Sequence, residues 1–401
     1  MRIKITVPTT FESSYLEELD NLNAKYSGNK REIREVYGSF QTSILGSARP
    51  SKYLPAPTKK QFKNHIKKGH SLGIKFSYLA NAPCLGNIEY SAKGRQGILD
   101  FLDDITEIGI DSIVVTIPLL IEIIRERHPH IEIVASSLCY ISDIKTARRF
   151  EEMGVQRIVV DPDVNRNLSL LKRMKNSLKG EVEVVANHTC IISCHLEYYH
   201  YNNTGHGSQK TGKKGEMIYN QYNLLRCTLE KLKNPGEFLA SPWFAPKDIK
   251  YLDDAGIGWI KLAGRGSKRE ELLALGEAYL KGEYDGNLLP LLGWPHHLAF
   301  RRKSSTEELA ALEIFLDEKD LNGFMEFFEK GFPCKKGCED CDFCHKKAGK
   351  VLKYDKKLLN QYIENMERIL DSIIREDLSE EHYGKQVTAW MKSAGFCRIS
   401  E

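Results

Sequence analysis

The sequence lacks the features that mark membrane, secreted and nucleic-acid-binding proteins. None of its 401 residues belong to an apolar run of about 18, the length that a membrane-spanning helix requires. The N-terminus, MRIKITVPTT, has no signal-peptide core and is typical of a β-strand. The formal net charge of +4 is small for this length and gives no indication of nucleic-acid binding. We therefore expect a cytoplasmic protein without a membrane span.

Several motifs of common enzyme classes are also missing. No Gly-x-Gly-x-x-Gly follows the first predicted strand, which argues against a dinucleotide-binding domain. The sequence contains neither the His-Glu-x-x-His helix of zinc peptidases nor the Gly-x-Ser-x-Gly elbow of serine hydrolases. In contrast, cysteine is plentiful, with ten residues. Disulfides are rare in a reducing compartment, so clustered cysteines favour metal binding.

Strand-like and helix-like segments alternate from the first residue. Short Val/Ile-rich runs predict strands at 2–6, 33–38, 74–79, 111–116, 131–136, 156–161, 182–187 and 257–262. The clearest helical pattern is 95–108, and the others are 13–24, 59–70, 117–127, 142–153, 165–178, 217–232 and 267–281. Continuous apolar strands indicate a parallel sheet covered on both faces. Eight β-α units over residues 1–285 predict an α/β fold, a (β/α)8 TIM-type barrel, with a doubly wound open sheet as the alternative.

A barrel predicts that its site lies at the C-terminal ends of the strands. Polar or thiol side chains follow five predicted strands, among them Cys84, Cys139, Asp163, Arg166, Asn187, His188, Cys190, Cys194, Lys261 and Arg265. The densest stretch is 181–206, which we interpret as a strand followed by a loop rich in cysteine and histidine. Thiolates and imidazoles at this density indicate a metal site. The alternative is a pair of buried cysteines beside a histidine-rich surface loop.

The region after the barrel contains the strongest metal signal. We divide it into a helical connector at 286–330, a Cys-rich segment at 331–350 and a helical tail at 351–401. Within the Cys-rich segment, four cysteines have the spacing Cys-x3-Cys-x2-Cys-x2-Cys: Cys334, Cys338, Cys341 and Cys344. So compact a run favours a [4Fe–4S] cluster, with zinc as the alternative because zinc knuckles usually stand further apart. Cys397 stands alone near the C-terminus.

Three motifs give the first 285 residues a resemblance to a known family. Glu183-Val-Val-Ala-Asn-His-Thr-Cys190, Phe244-Ala-Pro-Lys-Asp248 and Lys261-Leu-Ala-Gly-Arg265 are similar, in this order, to motifs of the U32 family. That family has long been labelled peptidases and includes collagenase-type members and oxygen-independent hydroxylation proteins. Ala263 departs from its pattern, which usually has Glu at this position. The segment FSYLANAPCLGN at 76–87 also resembles a subgroup pattern.

The resemblance implies a barrel with a [4Fe–4S] cluster held by cysteines. It assigns Cys190, Cys194 and Cys227 as ligands, with Cys84 or Cys139 as the fourth, and a three-cysteine cluster is a further option. Lys261 and Arg265 would bind an anionic substrate group, or else form a structural pair. Asp163, Arg166 and His188 complete the candidate catalytic residues.

Three functions remain open at this point. The chain is an oxygen-independent hydroxylase or related redox enzyme, a peptidase that uses a cysteine–histidine pair, or a non-enzymatic electron-transfer subunit. The expected partners are a substrate, unidentified but with an anionic group, and an electron-donor protein or a related U32 subunit.

Overall fold

The computed structural model describes residues 2–51, 54–209, 216–294, 309–331, 334, 337–338 and 340–375. Eight strands form a closed barrel in which each strand pairs in parallel with the next and β8 pairs with β1. The strands are β1 Ile3–Pro8, β2 Arg31–Gly38, β3 Lys75–Ala80, β4 Ser112–Val115, β5 Glu132–Ala135, β6 Arg157–Val159, β7 Glu181–Val185 and β8 Trp259–Lys261. The predicted (β/α)8 barrel is therefore confirmed, and the open sheet is excluded.

Side chains that alternate along the strands fill the barrel interior in layers. An apolar layer combines one residue from each of six strands: Tyr37, Leu79, Val114, Val134, Val159 and Val185. Two residues earlier on β2, β6 and β7 lie Glu35, Arg157 and Glu183, all at most 1% exposed. Arg157 Nη2 donates to both carboxylate oxygens of Glu35, at 3.0 and 2.8 Å. The floor of the barrel is thus a buried ion-pair network.

The eight predicted helices are present, with ends shifted by at most three residues. With three further helices that the sequence did not predict (α7, α9 and α10), the helices of the barrel region are α1 Ser13–Lys25, α2 Lys59–Ser71, α3 Ala92–Ile108, α4 Pro118–Arg127, α5 Ile144–Glu152, α6 Leu168–Ser177, α7 Glu197–His206, α8 Glu216–Lys233, α9 Glu237–Ala240, α10 Ile249–Asp254 and α11 Arg269–Lys281. Helix α3 buries Ile98, Leu102, Ile105 and Ile108 on one face and begins at the Ser91 cap, which accepts from Gly94 N.

One sequence interpretation within the barrel region was wrong. The stretch after β7 was taken as a loop up to residue 206, but residues 197–206 form α7. Its apolar periodicity is weak because polar, aromatic and glycine residues occupy most of its positions. Tertiary contacts hold its end instead: the Ser208 hydroxyl accepts from Ser47 N at 2.6 Å. The β7–β8 connection therefore contains three helices, α7 to α9, before the short α10.

The C-terminal region packs onto the barrel helices. Its helices are α12 Leu288–Leu291, α13 Glu326–Glu329, α14 Phe343–Val351 and α15 Lys356–Arg375. Helix α15 packs on α8, α14 on α9 and α13 on α6. Within the described part of the predicted connector at 286–330, residues 309–317 form no helix. Leu312, Ile314 and Leu316 are buried and alternate with more exposed neighbours, a pattern typical of extended backbone. Within the described residues, no helix is long and apolar enough to cross a membrane.

Candidate functional site

A first thiol group consists of Cys190, Cys194 and Cys227. Cys190 and Cys194 follow the C-terminal end of β7, and Cys227 lies on α8. The three thiols interact electrostatically, since Cys190 and Cys194 each raise the pKa of Cys227. The structure therefore brings together the three cysteines that the sequence analysis assigned to the barrel site.

Burial makes these thiols poor nucleophiles. It raises the pKa of Cys190 and Cys194, and it raises that of Cys227 to about 12. A reactive cysteine has the opposite property, a depressed pKa. Thiols of this kind ionise when a metal ion displaces their protons.

A buried lysine, Lys231, lies beside the first thiol group. It follows Cys227 by one turn of α8 and is 1% exposed. Its Nζ donates to the carbonyl oxygen of Thr189 at 2.6 Å and to Ser241 Oγ. Burial lowers the pKa of Lys231, whereas Cys227 and Cys190 raise it. Within the described residues no carboxylate lies at ion-pair distance from it, although Glu237 also raises its pKa.

His188 and Glu197 lie around the same group. Burial lowers the pKa of His188, opposed by Glu197 and Asp163. Burial also raises the pKa of Glu197 to about 7, opposed by His188. A neutral imidazole beside a carboxyl group with this pKa can exchange a proton near neutral pH.

A second thiol group consists of Cys334, Cys338, Cys341 and Cys344. Cys338 and Cys341 both raise the pKa of Cys334 and of Cys344, after the larger effect of burial. Arg166 lies beside this group and is 3% exposed. Its guanidinium donates to the carbonyl oxygens of Leu239 and Trp243 at 2.7 Å. No carboxylate in the described part of the chain lies at ion-pair distance from it.

Asp163 connects the two thiol groups. Its Oδ2 accepts from Ser193 N at 2.7 Å, which fixes the loop between Cys190 and Cys194. Asp163 and Ile192 also line a cavity with Arg166, Cys334, Cys338 and Cys344. The Cys-rich segment therefore lies at the barrel mouth, against the loop that carries the first group.

The two candidates for a fourth barrel ligand lie elsewhere at the mouth. The Cys84 carbonyl accepts from Gln209 Nε2 at 2.6 Å. The Cys139 thiol is 3.5 Å from the carbonyl oxygens of Val115 and Thr116. The choice between them remains a prediction.

Three cations, Lys261, Arg265 and Arg49, lie at the barrel mouth after β8 and β2, and we call them the cation set. Lys261 ends β8, and its Nζ is 4.4 Å from the centroid of the Tyr37 ring. Arg265 Nη1 donates to Ser47 Oγ at 3.0 Å. Arg49, two residues further along the β2–α2 loop, lowers the pKa of Arg265, although burial is the larger cause. The sequence analysis named Lys261 and Arg265 but missed Arg49.

The donor sets have the chemistry of metal sites. All nine described cysteines are free thiols, and seven of them fall into the two groups. In the described residues, no three Cys, His, Asp or Glu side chains are arranged so that they could already hold a metal ion. Binding would require the thiols of each group to move closer together.

Several residues at the site were missed by sequence reasoning. Lys231 could have been found, because residues four apart on a helix share a face and Cys227 precedes it by four. Arg49 gave no such signal, because tertiary packing brings it to the mouth from the distant loop after β2. Glu197 and Tyr201 lie within the 181–206 stretch, but their residue types do not set them apart from the neighbouring polar and aromatic residues.

Comparison with known proteins gives consistent matches. A family model described as peptidase family U32 matches residues 56–282. The chain is 26% identical over 353 residues to the uncharacterized protease MJ1657 of Methanocaldococcus jannaschii, covering 87% of this chain and 98% of the relative. It is 24% identical over 211 residues to the tRNA hydroxylation protein P1 of Bacillus subtilis, covering 48% of this chain and 47% of that protein. A solved structure of the U32 peptidase Mk0906 aligns with a TM-score of 0.47 and 16% identity, covering 66% of this chain and 93% of that chain.

Proposed function

Because the chain belongs to peptidase family U32, we propose that it is an iron–sulfur redox enzyme that hydroxylates its substrate without molecular oxygen. The first thiol group would hold a [4Fe–4S] cluster, with Cys84 or Cys139 as the fourth ligand. The second group would hold another [4Fe–4S] cluster or zinc. With water as the source of the oxygen atom, hydroxylation of a C–H bond releases two electrons and two protons, so a partner protein would accept the two electrons. The similarity to a tRNA hydroxylation protein supports hydroxylation as the reaction class.

One observation carries this proposal: each thiol group lies against a buried cation that has no carboxylate at ion-pair distance in the described residues, with Glu237 and Asp248 as the more distant acids. Lys231 accompanies the first group and Arg166 the second. A buried charge is stable only when it is paired or hydrogen-bonded. Four thiolates around an iron–sulfur cluster or a zinc ion leave a net negative charge, which these two cations would balance.

The surrounding residues have separate roles in this proposal. When bound, a [4Fe–4S] cluster supplies one-electron redox chemistry. Tyr201 forms a hydrogen bond with the Cys190 thiol, which lowers the pKa of Cys190 against the larger effect of burial. Asp163 holds the 190–194 loop in place. His188 and Glu197 are positioned to exchange a proton with the substrate.

Metal analysis tests the proposal. Protein purified without oxygen should contain iron and acid-labile sulfide, with iron or zinc in addition at the second group. Changing Cys334, Cys338, Cys341 and Cys344 together to Ala should remove only part of the total metal. Loss of all of it, or of none, would show that the chain does not have two separate sites.

A peptidase is the second candidate, favoured by the names of two similar proteins. The raised pKa values of the thiols argue against it, because a cysteine peptidase needs a thiolate. Cleavage of peptide bonds by iron-free protein, restored by a thiol reductant and lost in Cys194→Ala, would establish the peptidase instead.

A further inference from the structure

The cation set consists of three cations that have no carboxylate at ion-pair distance among the described residues. Lys261 ends β8, Arg265 follows it in the next loop, and Arg49 lies in the loop after β2. Within the described part of the chain, none of the three forms an ion pair with a carboxylate. The nearest acids to Lys261, Glu183 and Glu35, pair with Arg157 instead.

The contacts of these side chains leave donors unused. Arg49 Nε is buried and has no hydrogen-bond partner among the described residues. Among the described residues, Nη1 is the one guanidinium nitrogen of Arg265 that forms a hydrogen bond, to Ser47 Oγ. Lys261 Nζ rests on the ring of Tyr37, whose own hydroxyl donates to the carbonyl oxygen of Leu262. A buried donor without a partner destabilises the protein, and a bound acceptor would remove this cost.

The cations also act on one another. Burial lowers the pKa of Arg265 to about 10, and Arg49 lowers it further against the opposing effect of Tyr37. Burial likewise lowers the pKa of Lys261 against the opposing effects of Glu183 and Glu35, and Arg265 adds to the lowering. Like charges held together inside a protein mouth are a common arrangement for binding an anion with more than one charge.

We infer that Arg49, Lys261 and Arg265 form a binding site for a small dianion, such as a dicarboxylate or a phosphate monoester. The two guanidinium groups would each donate to one anionic group, and the ammonium group would add a third charge. The half-buried position of the three cations favours a small molecule over an extended polyanion.

Tyr201 places this site beside the first thiol group. Its hydroxyl bonds to the Cys190 thiol, and the same side chain interacts electrostatically with Arg49 and Arg265. A dianion held by the cations would therefore lie near the first thiol group. The inference rests on the proposed function only where it makes this anion the substrate, since binding itself requires no metal.

Calorimetry with the full-length, metal-free protein tests the site. Inorganic phosphate and malonate are the probes, and acetate is the monoanionic comparison. We expect both dianions to bind more tightly than acetate, and the Kd for the preferred one to rise at least tenfold in Arg49→Gln and in Arg265→Gln. Arg269→Gln is the matched control, because Arg269 already pairs with Glu12 and Glu18, and binding should be unchanged. Arg265→Lys should retain part of the affinity.

Thermal unfolding with and without the probes shows whether the variants fold. The dianion should raise the Tm of the wild-type protein but not that of Arg265→Gln. Absence of dianion binding to the wild type, or equal weakening by Arg269→Gln, would overturn the inference. So would binding of an RNA oligonucleotide that is lost in the same two variants while neither small dianion binds. Loss of iron from the thiol variants with dianion binding intact would separate the two proposals.

Discussion

At the scale of single residues, His65 connects stability to pH. It is 2% exposed, its Nε2 lies 2.7 Å from Thr9 Oγ1, and burial lowers its pKa to about 4. The unfolded chain binds a proton near the ordinary value of about 6.5, whereas the folded chain does so only near pH 4. The stabilisation is therefore complete above pH 6.5 and declines as the pH falls toward 4.

This behaviour gives the first prediction. The free energy of unfolding should fall by up to about 3 kcal/mol between pH 7 and pH 4 because of this one group. His65→Gln should remove that part of the pH dependence, as measured by urea unfolding at a series of pH values. His130→Gln is the control. An identical pH profile for His65→Gln and the wild type would show that folding does not lower the pKa of His65.

Arg157 gives a second prediction at this scale. Arg157→Met leaves Glu35 and Glu183 buried without their cation, so we expect a loss of about 3–5 kcal/mol in the free energy of unfolding. Arg125→Met is the control: Arg125 is exposed and donates to the Met153 carbonyl, so its loss should cost at most about 0.5 kcal/mol. Denaturant titration measures both, and similar values for the two variants would contradict a structural role for the ion-pair network.

At the scale of elements, the close approach of α9 and α14 holds the second thiol group against the barrel. A Cβ atom on Gly236 would lie 1.9 Å from Nδ1 of His345, the residue after Cys344. Gly349 lies on α14, as His345 does, and a Cβ atom on it would have no other atom within 4 Å. The two glycines therefore provide a matched pair of substitutions.

Gly236→Ala should displace α14, lower the free energy of unfolding by about 1–3 kcal/mol and reduce the metal content of the second group. Gly349→Ala should leave the metal content unchanged and stabilise the helix by about 0.5–1 kcal/mol. Metal analysis and thermal unfolding of the two variants provide the comparison. Unchanged metal content in a folded Gly236→Ala protein would mean that the position of α14 does not determine binding.

Elements were also where sequence reasoning succeeded most. Short Val/Ile-rich runs predicted all eight strands, because a strand that is buried on both faces needs apolar residues at nearly every position. Residues 309–317, which form no helix, and α7 differ from the sequence predictions because their apolar patterns are weak or misleading. Leu312, Ile314 and Leu316 alternate within a segment of helix-forming residues, and α7 is held by contacts of its ends rather than by an apolar stripe. The same contrast holds for the site. The spacing of the cysteines predicted the thiol groups, whereas the positions of Lys231 and Arg49 at the site depend on packing between distant segments.

At the scale of the whole molecule, the barrel mouth admits solvent to the proposed cluster. Exposure to air should abolish activity, and reconstitution with iron and sulfide under anaerobic conditions should restore it. Cys190→Ala and Cys194→Ala should each lose the barrel cluster, whereas Cys397→Ala, outside the described residues, should not. Activity and visible absorbance provide the measurement. Recovery with a thiol reductant alone would instead indicate oxidation of a catalytic cysteine.

The barrel can close only after β8 has been synthesised, which fixes the order in which its parts form. Lys4, Ile5 and Thr6 of β1 pair with Trp259, Ile260 and Lys261 of β8, and closing so long a loop costs about 5 kcal/mol in chain entropy. A ribosome that adds about 5–20 residues per second leaves β1 without this neighbour for tens of seconds. Cys190, Cys194 and Cys227 emerge within that interval, before the Cys-rich segment exists. The first thiol group is therefore synthesised while the barrel is still open, whereas the second follows only after β8 can close it.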